Sequence, residues 1–493
     1  MKPDSDSIQK EPTLKEKAAT GLLWGGISNF VQQLVGMAFG IFIARILLPD
    51  DFGLIAMLAI FTAMGTTIMD SGFTTALINK KEINHNDYNA VFWFGLFIGI
   101  AIYIILFFAA PLIARYYNQP VLIDLSRILF LIFIFSGAGI AQNAFLLKKI
   151  MAKQRGIIDI GAVLFSGIIG LILALNGFAF WGLALQQVSF VIVTVLLRWL
   201  FCPWRPTFRI DFSPLKTMFR FGFNLLVVNI FVQFVQNLIS TILGKSYGKE
   251  ITGYYAQGQK WGIIGGYVIV ATINNIAQPV LVEAQSDIQR QLKIFRKMIR
   301  FGAFISIPTL LGFAFVSREF ILITIGEKWL NSVIYMQLFC LWGIVSYINS
   351  LYYTLLLSHG KSTIYMRMMI AVFSIQIIAL IICSSYSILL MISVYVGIYL
   401  LSVIGWQYFA NKLIGIRIKD VIKDVSPYII ASIISMAIAW AISKSVDNLY
   451  LKFLVKVLVT VCVYSAILWY SNSVIFKESI GYLKKGKVIQ NSL

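Results

Sequence analysis

The chain has 493 residues, of which 59% are hydrophobic, 14% aromatic and only 13% charged. Soluble globular chains run near ~25% charged, so this sequence lacks the polar surface that several soluble domains would need, and its recurring long apolar runs exclude disorder, collagen and coiled coil. The net charge of +20, from 41 Lys+Arg against 21 Asp+Glu, fits basic residues gathered in cytoplasmic loops better than a nucleic-acid surface.

A charged lead, 1–17, comes first; the apolar run after it is too long for a cleavable signal, so none is expected. Fourteen apolar spans then follow at about 18–44, 52–77, 89–114, 121–147, 157–175, 179–201, 218–244, 254–282, 301–325, 333–358, 363–383, 388–411, 427–443 and 453–475. Each can cross ~30 Å of hydrocarbon at ~1.5 Å per residue. Lipid leaves unpaired backbone groups nowhere to bond, and the period-two alternation of a barrel is absent, so the spans read as helices. The expected fold is an all-α integral membrane protein of about fourteen transmembrane helices. Its parts are an N-lobe of six spans (18–201), a linker (202–217), a C-lobe of six spans (218–411), a loop (412–426), two further spans (427–475) and a tail (476–493).

The basic residues set the orientation. Thirty of the 41 Lys+Arg fall in alternate segments that begin with the N-terminal lead, and eight fall in the segments between. Both termini are therefore expected in the cytoplasm. The outer loops are short and the longer stretches lie inside, which leaves no room for a water-soluble catalytic domain. A membrane glycosyltransferase, polymerase or ligase would need acids or histidines on a sizeable outer loop; no enzyme activity is expected. The four cysteines have no paired spacing, so neither a disulfide framework nor a zinc site is expected. The glycine-rich stretches at 161–170 and 262–266 lack a Walker or dinucleotide pattern, so they read as helix packing, and no cofactor or metal is expected.

An internal repeat organises the spans. A shift of 200 residues brings Asn29 onto Asn229, Gln33 onto Gln233, Val35 onto Val235, Gly53 onto Gly253 and Ala56 onto Ala256, with Arg45 meeting Lys245. Six spans per unit is an even number, so the two copies share one orientation, as in the halves of rocking secondary transporters.

Rare polar residues inside the spans are the candidate site. In the seventh span Asn229, Gln233, Gln236 and Ser240 step by four, three and four, which is one helical stripe, and Asn29, Gln33, Gly36 and Gly40 match it in the first. Such stripes serve either as interhelical hydrogen-bond glue or as the lining of a hydrated cavity, where amides suit sugar hydroxyls as donor and acceptor at once. Lys260 and Arg127 sit inside spans 8 and 4; they either snorkel to the interface or form a cationic cavity wall that meets phosphate, a role for which Arg45 is a further candidate. Asp70 lies ~27 Å along the second span, where it either caps the helix or acts as an ion-coupling site. Lys456, on the last span, reads as an interfacial anchor. His85 and His359 fall in separate cytoplasmic loops, where a joint role is not expected.

Several segments carry a family resemblance: Ala44–Met57 (ARILLPDDFGLIAM), Asp70–Lys80 (DSGFTTALINK), Asn89–Trp93 (NAVFW), Ala110–Tyr116 (APLIARY), Gly253–Tyr255 (GYY) and Gly326–Trp329 (GEKW). With them the sequence resembles the polysaccharide transporter family, the Wzx-type flippases of the multidrug/oligosaccharidyl-lipid/polysaccharide exporter superfamily. The likeness is clearest in the exporter branch for colanic acid and related lipopolysaccharide sugars. It implies a bacterial inner-membrane flippase that carries undecaprenyl-diphosphate-linked oligosaccharide units from the cytoplasmic to the periplasmic leaflet, by alternating access of two six-helix lobes. It further implies a cationic cavity where Asn29, Gln33, Asn229, Gln233 and Lys260 lie. Membrane lipids, a polysaccharide polymerase and chain-length proteins are the expected partners, and nucleic acid is not. The competing expectation is a cation-coupled antiporter of drugs or small metabolites from the same superfamily.

Overall fold

A computed structural model of the chain describes residues 14–70, 74, 77, 80, 83–479 and 481. Every regular element among them is a helix. The chain divides into two compact units, Met1–Asn237 and Leu238–Leu493.

The first unit holds α1 (Leu14–Ile46), α2 (Pro49–Asp70), α3 (His85–Tyr117), the short α4 (Leu122–Leu129), α5 (Leu131–Gly137) and α6 (Ile140–Lys148), then α7 (Ala152–Leu175) and α8 (Ala179–Phe201). Helix α3 starts sharply because Asn84 and Asp87 form a capping box, each side chain accepting from the other's backbone N–H. It ends where Asn118 turns left-handed, at φ 54°. The expected fourth span is not one straight rod: it breaks after Gly137 and bends by 46° into α6. Two contacts explain the break. A Cβ on Gly137 would lie 2.6 Å from the carbonyl oxygen of Gly95, so only glycine lets α5 come this close to α3, and the Trp199 indole N–H donates to the Ala138 carbonyl at 2.8 Å. Glycine also brings α7 against α1 and α8, where Gly167 meets the Phe39 ring and Gly170 meets Gln186, as the packing expectation required.

The linker after α8 is fastened along α3. Asn89 accepts from the Thr207 amide at 2.9 Å and donates to the Arg209 carbonyl at 2.7 Å, and the Trp93 indole donates to the Thr207 carbonyl at 2.8 Å. These bonds satisfy the backbone of a segment that has no helix of its own.

Helix α9 (Ser213–Ser246) carries the division between the units. The second unit continues with α10 (Gly248–Glu283), α11 (Ile288–Phe315), α12 (Ser317–Thr324), a 3₁₀ segment (Glu327–Ser332), α13 (Val333–Ser358), α14 (Ser362–Cys383), α15 (Ile388–Ile414), α16 (Ile418–Ser443) and α17 (Leu449–Tyr470). Its central helix is α13, which packs on α10, α11 and α15. Helix α1 stops at Ile46 and α9 at Ser246, 200 residues apart.

Eleven helices among the described residues are long and apolar enough to cross a membrane, or twelve if the bent α5–α6 region is one span. Helices α9 and α10, of 34 and 36 residues, stand at the seventh and eighth expected spans; several side chains of each lie outside the described residues, so neither enters that count. The molecule is a multi-span membrane protein.

Ion pairs tie α16 and the segment after α17 to α11. Arg296 grips Asp424 with both ends of its guanidinium, at 2.7 and 2.9 Å, and reaches Asp420 at 3.6 Å, while Lys297 pairs with Glu478 at 2.7 Å. Segments 283–299, 412–426 and 476–493 were expected on one side of the membrane, and these contacts bring residues at or beside them together. Lys456 departs from expectation. It is buried rather than anchored at an interface: its ammonium lies 2.7 Å from Glu319 and 4.5 Å from the centre of the Phe315 ring. Burying a lone ammonium in this environment costs several kcal/mol (~3–5), which is why the carboxylate of α12 comes to meet it.

Candidate functional site

The first unit contains a polar furrow built by α1, α7 and α8. Along α7, Arg155, Asp159, Val163, Ser166 and Gly170 step by four, four, three and four, so they share one helical face. Along α8, Gln187, Val191, Thr194 and Arg198 step by four, three and four and do the same. The two helices pack together, with α1 against α7.

A cavity of about 360 Å³ opens in this region, lined by Gly36 of α1, Val163 and Ser166 of α7, and Gln186, Gln187 and Phe190 of α8. The shape follows from small residues: Gly36 puts no side chain into the space, and Gly170 leaves room for the stem of Gln186. Two amides and a hydroxyl in an otherwise apolar wall offer both donors and acceptors to a polar guest.

Charged residues stand farther along the same two helices, Asp159 ~10 Å from Ser166 on α7 and Arg198 ~16 Å from Gln187 on α8. The Arg198 guanidinium interacts electrostatically with Asp159, Arg155 and Asp70, the last residue of α2. None of the four closes to a salt bridge among the described residues. Two carboxylates and two guanidiniums thus share a neighbourhood without being consumed by one another. Such a group can exchange partners with an incoming ion or phosphate at less cost than a bonded pair.

The structure places each expected site residue as follows. Asn29 and Gln33 are exposed on α1, and Gly36 of the same stripe lines the cavity. Asn229 and Gln236 are exposed on α9, with Gln233 half-buried. Lys260 is exposed on α10, its ammonium 5.5 Å from the neighbouring Trp261 ring and without an ion-pair partner among the described residues. Arg127 stands over Phe107 at 4.3 Å and reaches Asp124 at 4.0 Å, and Arg45 is exposed at the last turn of α1. Asp70 joins the charged group; the residues just after it lie outside the described ones.

Six polar or charged residues that the furrow uses were not singled out from sequence: Asp159, Arg155, Arg198, Ser166, Gln186 and Gln187. Arg155 and Arg198 had been counted with the loop charges, whereas they sit in the first turns of α7 and the last turn of α8. The signal was present in the i, i+4 step from Arg155 to Asp159, which puts an acid and a base on one face of an apolar helix.

The fold is one that solved membrane proteins share. The computed fold superposes on a lipid II flippase MurJ in an inward closed conformation with a TM-score of 0.73, at 14% identity, over 93% of this chain and 100% of that one. It matches an inward-facing multidrug resistance transporter of the MATE family with a TM-score of 0.63, at 15% identity, over 78% and 94% of the two chains. In sequence, residues 42–334 match the polysaccharide biosynthesis protein family, more than half of the chain, and the chain belongs to that family. It is 25% identical over 355 residues to the lipopolysaccharide biosynthesis protein WzxC of Escherichia coli (strain K12), 71% of each chain. It is 22% identical to the teichuronic acid biosynthesis protein TuaB of Bacillus subtilis (strain 168), over 71% of this chain and 73% of that one.

Proposed function

We propose that the protein is a flippase that moves undecaprenyl-diphosphate-linked oligosaccharide units from the cytoplasmic to the periplasmic leaflet, by alternating access, for assembly of a surface polysaccharide. The observation that carries this reading is the pair of helices α7 and α8 in the first unit, which hold an amide-lined cavity along their length and an unbonded charged group towards their ends. The relatives named for lipopolysaccharide and teichuronic acid biosynthesis supply the substrate class. Gln186, Gln187 and Ser166, with the stripe residues Asn29, Gln33, Asn229, Gln233 and Gln236, are the hydrogen-bonding partners for sugar hydroxyls. In the first unit Arg198 is the partner for the diphosphate, with Arg127 and Arg45 as outlying cations, and Lys260 is the candidate cation of the second unit. Asp70 and Asp159 serve ion coupling, because a carboxylate with no bonded partner in a poorly solvated position can take up a proton or a metal cation. Both termini are assigned to the cytoplasm on the distribution of Lys and Arg.

The test is reconstitution in liposomes with fluorescent undecaprenyl-diphosphate oligosaccharide, reading its exposure to an impermeant reagent under imposed proton and sodium gradients. Protein-dependent exposure is the expected result, reduced by Asp159→Asn and by Lys260→Ala. Absence of translocation with a matched glycan under both gradients would overturn the reading and favour a drug or metabolite antiporter.

A further inference from the structure

The linker after α8 climbs along α3. Asn89 and Trp93 bond the Thr207 backbone, the Phe208 ring stands 5.7 Å from that of Trp93, and the Phe212 ring 6.3 Å from that of Phe97. These contacts fall on one face of α3, since Trp93, Phe97, Ala101, Ile104, Phe108 and Leu112 step by four, four, three, four and four. Beyond the linker that face is exposed and apolar, which in a multi-span protein is the face turned to lipid. Helix α3 has 33 residues, ~50 Å of helix against ~30 Å of hydrocarbon. Its surplus turns therefore stand in the headgroup layers, and the aromatic pairs of the linker lie on its first four turns, where Trp93 sits as interfacial tryptophans do.

Between α3 and the linker lies a groove of about 500 Å³, lined by Phe94, Phe97, Ile98 and Ala101 of α3, by Phe212, and by Leu215 of α9. These side chains are apolar, and through Phe97 and Ala101 the groove runs into the lipid-facing stripe of α3. A hydrocarbon chain fits such a lining better than a polar guest. The linker beside it alternates. Phe208, 91% exposed, Ile210 and Phe212 present apolar surface, while Arg209 and Asp211 between them are exposed charges of opposite sign. Arg209 is fastened by its main-chain carbonyl, to Asn89. Asp211 accepts from the Ser213 amide and from the Ser213 hydroxyl, each at 2.9 Å, and these bonds hold its carboxyl below the usual carboxylate range.

We propose that the groove and the linker beside it bind one zwitterionic phospholipid of the ethanolamine type, from the leaflet next to the linker. A fatty-acyl chain lies in the groove, the phosphate meets Arg209 and the ammonium meets Asp211. A guanidinium grips phosphate in a fork, and a carboxylate accepts hydrogen bonds from a primary ammonium that a trimethylated one cannot donate. Opposite charges two residues apart match both ends of a zwitterion, whereas an anionic headgroup has no partner for the acid.

The full-length protein, delipidated in a neutral detergent, would be titrated with phosphatidylethanolamine, phosphatidylcholine and phosphatidylglycerol of equal acyl chains, and with undecaprenyl phosphate. Native mass spectrometry counts the lipid retained. The expected result is one phosphatidylethanolamine per chain, bound ~5-fold more tightly than the other two phospholipids. Ala101→Trp, which fills the groove, should weaken it ~10-fold, and Arg209→Gln ~5-fold. Asp211→Asn, whose amide oxygen still accepts from Ser213, should erase the preference over phosphatidylcholine. Ile105→Trp, on the exposed side of α3 one turn beyond the groove, is the control and should change nothing. Equal retention of all headgroups by wild type, an Ala101→Trp effect no larger than that of the control, or tighter retention of undecaprenyl phosphate overturns the proposal. Arg209→Gln keeps the carbonyl bond to Asn89 and Ala101 is an exposed position, so neither result rests on a loss of fold. The readout is lipid retention, so it can fail while translocation succeeds, and the reverse.

Discussion

Two charge clusters, one in each unit, are treated in opposite ways. In the second, the acids beside the spans are bonded: Asp424 is held by Arg296, and Glu319 by Lys456. In the first, Asp70, Asp159, Arg155 and Arg198 lie within electrostatic reach but close no salt bridge among the described residues. A closed pair fixes one helix on another, since breaking it strands a charge in a poor solvent. An open group holds nothing together and costs desolvation without return unless something binds it. On this contrast, charge in the second unit is structural, and the furrow charges of the first are the ones we propose to act in transport.

The contrast is sharpest at Lys456. Replacing it by Met strands Glu319, already short of a partner on its second oxygen, and should lower stability by ~3–5 kcal/mol. The double variant Glu319→Leu/Lys456→Met should recover most of that loss. Thermal unfolding of the purified protein, followed by tryptophan fluorescence, reads both; a neutral single variant would mean that the pair ties nothing. Asp424→Asn should cost less, ~1.5–3 kcal/mol, because the amide still accepts one bond from Arg296, whose side chain is 29% exposed. The same melting experiment checks it, and an effect as small as that of a surface substitution would remove the second unit's half of the contrast.

Asp159→Asn turns the test around. Its effect on melting should stay within ~0.5 kcal/mol, the range of a substitution that breaks no bond, while translocation in liposomes should fall ~10-fold, equal to ~1.4 kcal/mol on the barrier. A large stability loss with normal transport would assign the furrow charges to structure. The smallest expected effect is that of Gln187→Ala, a ~3-fold lower translocation rate at unchanged stability, since one neutral hydrogen bond contributes ~0.5–1.5 kcal/mol. An unchanged rate would take this amide out of the transport path.

The sequence revealed the fold more fully than the site. Apolar runs located the long helices but not all their starts, since α11 begins at Ile288 and α16 at Ile418 rather than at 301 and 427, and they could not show the break at Gly137, which depends on the approach of Gly95 from another helix. The amide stripes were visible because a step of four and three is a local pattern. The furrow was largely missed for two reasons. Gln186 and Gln187 are adjacent in an apolar span and make no stripe by themselves, and Arg198 looked like one more loop charge. Lys456 was read as an anchor because its partner stands 137 residues away in the chain.

By itself the sequence determined the solvent, the helical class, the alternation of basic segments and the shift of 200 residues between the repeats. Each of these follows from sums or patterns over contiguous residues, since hydropathy and charge are additive along a helix that must satisfy its own backbone in lipid. Tertiary structure alone decided which charges are spent on each other and which stay open. Whether Asp159 meets Arg198 at a bond or at a distance is set by the spacing and rotation of packed helices, and that depends on side-chain volume at their contacts, such as the missing side chains of Gly167 and Gly170, rather than on any periodicity within one helix.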